Sequence, residues 1–482
     1  MLNNIGVIGL STMGGNLARN IANKGFTVAI YNRHFEKTAA LLELSKNQDQ
    51  PEHAKNMSGF ETLKDFVQSL ELPRKIIVLV KAGQAVDNII AELKPLLDSE
   101  DIIIDAGNSN WQDTKARELI LEADFSNSTN STNSDDKKII HFMGCGISGG
   151  AEGALIGPSI MLGGAENPAN LILPILQKIA AKDFAGQPCV SYLGTNPAGH
   201  FVKMVHNGIE YAIMQGIAEV YAILKQSGLE NQKVSSIFYQ LNTGFNTSFL
   251  LEITSEVLKT QATSKTSSNQ SLVDLIVPKS GAKGTGKWTV EAALELGVAV
   301  PNIFEALNAR IESNHSYNFN IETITKDAAE MGLDLEVDQL KIYLETIFLT
   351  SYLQGLDLIL AAEKEYSWGI NVAEVLRIWQ GGCIIRSKWL QEIPTILNDK
   401  KLLQSSLYNS LVASSNLQQI LNGQSIFASN PVFASSINYL KAVLYNQNGH
   451  SIIQAQRDYF GQHTYERTDK EGIFTGGWNL KA

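Results

Sequence analysis

The stretch IGVIGLSTMGGNLARNIANKGFTVAIYNR, residues 5–33, constrains the fold of this chain more than any other. A short apolar run ends at Gly9, a helical pattern opens around Gly14, and a second apolar run, FTVAIYN, follows. This is the order strand, tight turn, helix, strand. Gly9, Ser11 and Gly14 stand in a G-x-G-x-x-G frame, with Ser11 in place of the middle glycine. Glycine lets the backbone bend sharply. Small residues let a pyrophosphate approach the helix N-terminus, where free N–H groups and the helix dipole favour anions.

Further apolar runs repeat the pattern. KIIVLV and DIIIDAGN read as parallel strands buried on both faces, and KKIIHFMG and PSIMLGG extend the same sheet. The N-terminal part is therefore expected to be an α/β, Rossmann-like doubly wound sheet. After NPAGHF the apolar residues fall at helical spacing, so a large all-α domain follows. The last segment, HSIIQAQRDYFGQHTYERTDKEGIFTGGWNLKA, has no long apolar face and reads as a short tail that needs another surface. The expected boundaries are 1–197, 198–446 and 447–482. Three polar inserts, near residues 45–59, 124–138 and 260–271, read as exposed loops.

A formal net charge of −10 argues against a general nucleic-acid binder. No apolar run approaches the roughly 20 residues of a membrane helix, so no membrane span is expected. The N-terminus reads as a strand rather than a secretory signal. Cys145, Cys189 and Cys383 are odd in number and far apart, which fits buried thiols in a cytoplasmic protein. No cluster with metal-ligand spacing is present.

The second strand ends in Asn32, Arg33 and His34. An NAD site would place a carboxylate there for the ribose 2′-hydroxyl. A neutral donor and a cation instead suit a 2′-phosphate, so NADP is the expected cofactor. Taken alone, Arg33 also reads as a solvated surface arginine.

The segment GHFVKMVHNGIEY places Lys203, His206, Asn207 and Glu210 within an arc of about 100° on one helix, with Lys203 and Glu210 about 10 Å apart along the axis. The flanking sequence is apolar, so this face is buried. A buried lysine and glutamate that do not pair with each other need a polar ligand between them. A desolvated lysine can serve as a base near neutral pH, and a desolvated glutamate as an acid. Spacing alone leaves catalysis and a structural role equally open.

GLSTMG, VKAG, DAGNS, GISGGAEGA, HFVKMVHNGIEY, KGTGKWT and QAQRDYFGQHTYE, in this order, resemble the 6-phosphogluconate dehydrogenase family over the whole chain. The resemblance implies oxidative decarboxylation of 6-phosphogluconate to ribulose 5-phosphate with reduction of NADP. It implies that Gly9, Leu10, Ser11, Thr12, Met13, Gly14, Asn32, Arg33, His34, Val80, Lys81 and Ala82 bind the cofactor, with Asn108 between cofactor and substrate. Lys203 corresponds to the general base and Glu210 to the general acid. Ser148, Gly149 and Gly150 correspond to the substrate carboxylate and hydroxyl contacts, and His206 and Asn207 to residues holding sugar hydroxyls. Tyr211, Lys283 and Arg310 match the surroundings of the substrate phosphate. Arg457 and His463 match residues that the family inserts into the neighbouring subunit, which implies a homodimer with shared active sites. The resemblance implies no metal. Ala151 stands where the family commonly has glutamate, and His34 where it has a hydroxyl residue. A related β-hydroxyacid dehydrogenase would leave Lys283 and Arg457 without a task, and a silent nucleotide sensor would leave Lys203 and Glu210 without one.

Overall fold

A computed structural model describes residues 2–48, 51–127, 139–195, 197–262, 270–315, 337–391, 393, 430–445 and 449–478. Eight strands form one sheet in the order β3-β2-β1-β4-β5-β6-β7-β8. They are β1 (Ile5–Ile8), β2 (Val28–Tyr31), β3 (Met57–Phe60), β4 (Lys75–Val78), β5 (Ile102–Asp105), β6 (His141–Ser148), β7 (Ser159–Gly163) and β8 (Val190–Tyr192). The pairs from β3 to β6 are parallel, β6 and β7 are antiparallel, and β7 and β8 are parallel. The 3-2-1-4-5-6 order is that of a doubly wound dinucleotide-binding sheet, whose ligand crevice lies where the order reverses, between β1 and β4.

β3 corrects the expectation of an exposed loop at residues 45–59. The Phe35–Gln48 helix fills its first part and a short Pro51–Ala54 helix follows, before β3 pairs with β2 in the register Val28↔Met57. As an edge strand it buries mainly Met57, so few apolar residues announce it. Of the other two inserts, residues 124–127 complete the Trp111–Asn127 helix and 128–138 lie outside the described residues. Gln261 and Ser271 form a β-bridge that closes the third, whose residues 263–269 also lie outside the described residues.

The helical part is organised around the 29-residue helix Ala198–Gln226, the central helix below, and the 30-residue helix Val337–Tyr366 packed against it. The second helix contains an 18-residue window of mean hydropathy 1.2, long and apolar enough to cross a membrane, against the expectation from sequence. Within the fold, 78% of that window is buried, which identifies a core helix wrapped on all sides. One cluster, including Phe201, Ile209, Tyr343, Phe348, Tyr352, Trp379 and Trp389, fills the space between the helices.

The tail consists of the helix His450–Gly461 and a two-stranded hairpin, β9 (Tyr465–Glu466) with β10 (Ile473–Phe474). It has local order of its own, which the sequence did not announce.

Candidate active site

At the β1–β4 reversal Leu79 N–H donates to Ile8 O at 2.8 Å, and Gly9 turns with φ +94°. A Cβ on Gly14 would lie 2.0 Å from Gly9 O, so only glycine lets the Thr12–Asn23 helix start this close to the turn. The Ser11 hydroxyl makes no capping bond to that helix, which leaves the first-turn N–H groups for a ligand. In front of the turn is a cleft of about 790 Å³, a volume typical of small-molecule sites. Gly9, Leu10, Ser11, Met13, Asn32, Val80, Lys81, Ala82 and Asn108 line it.

Thr12, Gly14, Arg33 and His34 are not among the wall residues. Asn32 is partly committed to the protein: its Oδ1 accepts from Leu10 N–H at 3.2 Å, and its Nδ2 donates to His34 O at 3.1 Å. It ties the glycine turn to the end of β2. Arg33 and His34 are exposed beside it, with His34 Nδ1 3.7 Å from Glu36 Oε1. Lys37 lines the cleft and escaped the sequence reading. The available signal was its place in the first turn of the helix that opens just after Arg33 and His34.

Asn108 is held out to the cleft by a carboxylate that was also missed. Buried Asp105 accepts from Gly107 N–H at 3.0 Å and from Ser109 Oγ at 2.6 Å, which shapes the DAGNS turn. Arg117 backs it, with Nη1 3.6 Å from Asp105 Oδ2 and Nε donating to Asp87 Oδ1 at 2.7 Å.

β6 brings the sheet to the helical domain. Its residues alternate: Met143, Cys145 and Ile147 join one core, while Gly144, Gly146 and Ser148 fall on the opposite face. That glycine face is where the central helix lies. A Cβ on Gly146 would lie 2.3 Å from Lys203 Cβ and 3.1 Å from Gly199 O.

The predicted polar face is real and buried. Lys203, His206 and Asn207 are 6%, 0% and 9% exposed, and the Glu210 side chain retains 22% exposure. Lys203 Nζ is 3.5 Å from His206 Nδ1, which also lies 3.1 Å from Asn207 Oδ1 and 3.9 Å from Glu210 Oε2. The imidazole thus sits between the base and acid candidates. Its Nε2 is 3.1 Å from Ser148 Oγ, which accepts from Ile384 N–H at 3.2 Å. Because Asn207 Oδ1 only accepts, we assign the His206 proton to Nδ1 and let Nε2 accept from the Ser148 hydroxyl.

Burial sets the charge states on this face. It pushes the Lys203 ammonium below the usual lysine range, partly countered by Glu210. It pushes Glu210 above the usual carboxylate range, partly countered by Lys203 and Arg310. Burial, reinforced by the Lys203 charge, pushes His206 well down and keeps it neutral. Each shift favours the uncharged form that acid–base chemistry needs.

The Ser148–Gly149–Gly150 turn is braced from a distant part of the chain. Gly149 has φ +142°, and a Cβ there would meet Gly382 O at 2.5 Å. The segment Gly382–Ile384 therefore supports the turn from behind, a role that pairing across more than 230 residues hid from the sequence. Next along the central helix, Arg310 Cζ stacks 3.4 Å from the Tyr211 ring centre and its Nη1 donates to Gly281 O at 3.1 Å. Lys283 lines the cleft in front of the glycine turn. Arg457 and His463 are not brought to these groups: both are exposed on the tail. Ala151 is exposed, and its carbonyl accepts from Asn16 Nδ2 at 2.7 Å.

Residues 4–194 match a family model described as the NAD binding domain of 6-phosphogluconate dehydrogenase, and residues 199–478 match its C-terminal domain. The chain belongs to the 6-phosphogluconate dehydrogenase family. It is 41% identical to the NADP(+)-dependent, decarboxylating 6-phosphogluconate dehydrogenase of Bacillus subtilis, covering 98% of each chain. It is also 41% identical to the decarboxylating enzyme of Lactococcus lactis subsp. cremoris, again over 98% of each. The Plasmodium falciparum 6-phosphogluconate dehydrogenase, studied as the apo form and with NADP+ or 6-phosphogluconate, superposes with a TM-score of 0.83 at 34% identity. That superposition covers 98% of this chain and 100% of the other. The family's second domain model runs to residue 478 and so takes in the tail.

Proposed function

We propose that this enzyme oxidatively decarboxylates 6-phospho-D-gluconate to D-ribulose 5-phosphate and carbon dioxide, with reduction of NADP. The observation that carries the reading is the buried face of Lys203, His206 and Glu210 beside a dinucleotide cleft. NADP, bound in the cleft, accepts the hydride from carbon 3 of the substrate. Neutral Lys203 takes the proton of the 3-hydroxyl, giving a β-keto acid. Loss of carbon dioxide leaves the electron pair of the broken C–C bond in an enediol, as the Lys203 ammonium returns its proton to the carbonyl oxygen. Protonated Glu210 then delivers a proton to carbon 1 of the product while neutral Lys203 takes the proton of the adjacent enediol hydroxyl, which restores the ketone. Neutral His206 keeps Lys203 and Glu210 apart and fixes Ser148 toward the substrate.

Asn108, Ser148, Gly149, Gly150 and Asn207 hold the sugar acid in this reading, and Tyr211, Lys283 and Arg310 hold its phosphate. Asn32, Arg33, His34 and Lys37 surround the 2′-phosphate of NADP. Residues 1–197 form the cofactor domain, 198–446 the substrate and dimer domain, and 447–482 the tail. The enzyme acts as a cytoplasmic homodimer, in which Arg457 and His463 complete the site of the neighbouring subunit. Exposed Ile452, Ile453, Phe460 and Ile473 on the tail support a partner surface, and three buried free thiols accord with a reducing compartment.

The deciding assay is the initial rate of cofactor reduction with 6-phosphogluconate, NADP against NAD, alongside carbon dioxide release. Stoichiometric NADPH and carbon dioxide are expected, and Lys203→Met should abolish both while still binding NADP. Turnover that survives in Lys203→Met would remove Lys203 as the base. Subunit mixing tests the shared site: Lys203→Met and Arg457→Ala chains together form mixed dimers with one intact site. About a quarter of wild-type activity should return at equal mixing. No recovery above the two parents would place Arg457 in its own subunit's site or outside any site.

A further inference from the structure

Among the mostly exposed residues of the tail, Asp458 is 2% exposed. Its Oδ1 accepts from Thr464 N–H at 2.9 Å and from Thr475 Oγ1 at 2.8 Å. Its Oδ2 accepts from Gly476 N–H and from Trp478 Nε1, both at 2.8 Å. All four donors follow it in the chain. One carboxylate therefore closes the helix His450–Gly461, the turn after it and the segment that follows β10 into a single clip. Burial pushes this carboxyl group up, but the four hydrogen bonds outweigh it and hold it below the usual carboxylate range.

The turn in this clip is strained. Gln462 and Thr464 are both left-handed, at φ +51° and +60°, and neither is glycine. Between them sits His463. Gln454, one helical turn before Asp458, donates from Nε2 to Thr464 O at 2.5 Å, and its Oε1 accepts from Arg457 Nη1 at 3.2 Å. The same side chain thus touches the Arg457 guanidinium and the turn that carries His463. Strain of this kind persists only where surrounding bonds over-determine it, and here Asp458 and Gln454 supply those bonds.

We propose that Asp458, assisted by Gln454, is a positioning residue for catalysis: it preforms the tail so that Arg457 and His463 enter the neighbouring active site in a fixed relative arrangement. This rests on the reading above that the tail completes the neighbouring site. A clip already folded before the substrate arrives spares the cost of ordering two long polar side chains at the moment of binding. Substrate affinity, rather than cofactor affinity, is what the clip supports.

The test uses the full-length dimer. Asp458→Asn keeps the shape but replaces one accepting oxygen with an NH2 group, which faces at least one N–H donor whichever way the amide turns. KM for 6-phosphogluconate should rise about tenfold or more, toward the value of Arg457→Ala, with KM for NADP within about twofold. Thr475→Val removes a single donor and should raise the substrate KM by about two- to threefold; it carries the test if Asp458→Asn fails to fold or to dimerise. In an Arg457→Ala/His463→Ala background, either substitution should add nothing further to the substrate KM. The proposal is overturned if the added factor survives in that background, because Asp458 then acts on something else. It is also overturned if Arg457→Ala raises the substrate KM while Asp458→Asn and Thr475→Val leave it unchanged. An unchanged substrate KM in Arg457→Ala/His463→Ala itself would instead refute the shared-site reading, and the role of Asp458 would fall with it.

Discussion

Gly146→Ala should disable the enzyme through one methyl group that touches neither substrate nor cofactor. The added Cβ would lie 2.3 Å from Lys203 Cβ, 2.8 Å from Lys203 Cγ and 3.1 Å from Gly199 O. Non-bonded carbons settle about 3.5–4.0 Å apart, so the gap must open by more than about 1 Å. No lysine rotamer can supply this, because Cβ is fixed by the backbone. The central helix must back away from β6 and carry Lys203, His206 and Glu210 with it. Overpacking of this kind costs about 1–3 kcal/mol of stability. A displacement of about 1 Å at a reacting group can cost about 100-fold in turnover, or roughly 2.7 kcal/mol of transition-state stabilisation. The cofactor cleft is built mainly on β1, β2, β4 and β5, so NADP affinity should stay within about twofold. Steady-state rates by NADPH absorbance, a cofactor titration and a thermal melt separate these effects. Cys145→Ala is the control: it alters the same strand on the opposite face and should lower the melting temperature while sparing kcat. A folded Gly146→Ala enzyme with kcat within roughly threefold of wild type would refute the claim that strand β6 sets the position of the base.

Other consequences can be checked separately. The pH profile of kcat/KM should be bell-shaped: activity rises as Lys203 loses its proton, at a pH below that of an ordinary lysine because burial lowers its pKa. Activity falls as Glu210 loses its proton, above the ordinary glutamate range because burial raises it. An alkaline limb that persists unchanged in Glu210→Gln would remove Glu210 from that role. Lys37→Ala should raise KM for NADP about 10- to 100-fold, the worth of one charge-assisted contact, with kcat and KM for NAD unaffected. Equal effects on both cofactors would place Lys37 away from the 2′-phosphate. Buried Glu219 accepts from Tyr343 OH at 2.6 Å and from the N–H groups of Val432 and Phe433, at the start of the helix Pro431–Tyr445. Glu219→Ala should therefore cost about 3 kcal/mol of stability without changing KM, and a melting temperature equal to wild type would contradict this.

What the sequence made legible was local. The glycine turn, the apolar runs of β1, β2, β4 and β5 and the polar face of the central helix each depend on residues within about two helical turns of one another. β3 was missed because an edge strand needs only one buried apolar residue, Met57, and its hydrogen bonds to β2 leave no trace in side-chain pattern. Asp105 and Asp458 were passed over because an aspartate that accepts several N–H and O–H groups looks, in sequence, like one facing water. Lys37 has the same ambiguity. The bracing of Gly149 by Gly382 depends on two backbones meeting, and no pattern within either segment predicts that contact.

The position of the Lys203 face follows from where these local signals meet. β6 presents Gly144, Gly146 and Ser148 on one face because strand side chains alternate, and two absent side chains there let a helix approach a sheet at backbone distance. The helix that takes the space carries Lys203 over Gly146 and His206 over Ser148. Arg377 fastens the helical domain to the same sheet, donating to Pro188 O at 2.8 Å and Val190 O at 3.2 Å, and pairing with Asp183 at 3.2 Å. The change of pattern near residue 197 therefore divides the chain by texture but not by function. In the proposed reaction one side of that seam holds the cleft for the hydride acceptor and the other carries Lys203, the proposed base. Their separation is set by a glycine on a strand, which is why a substitution at Gly146 should act on chemistry before it acts on binding.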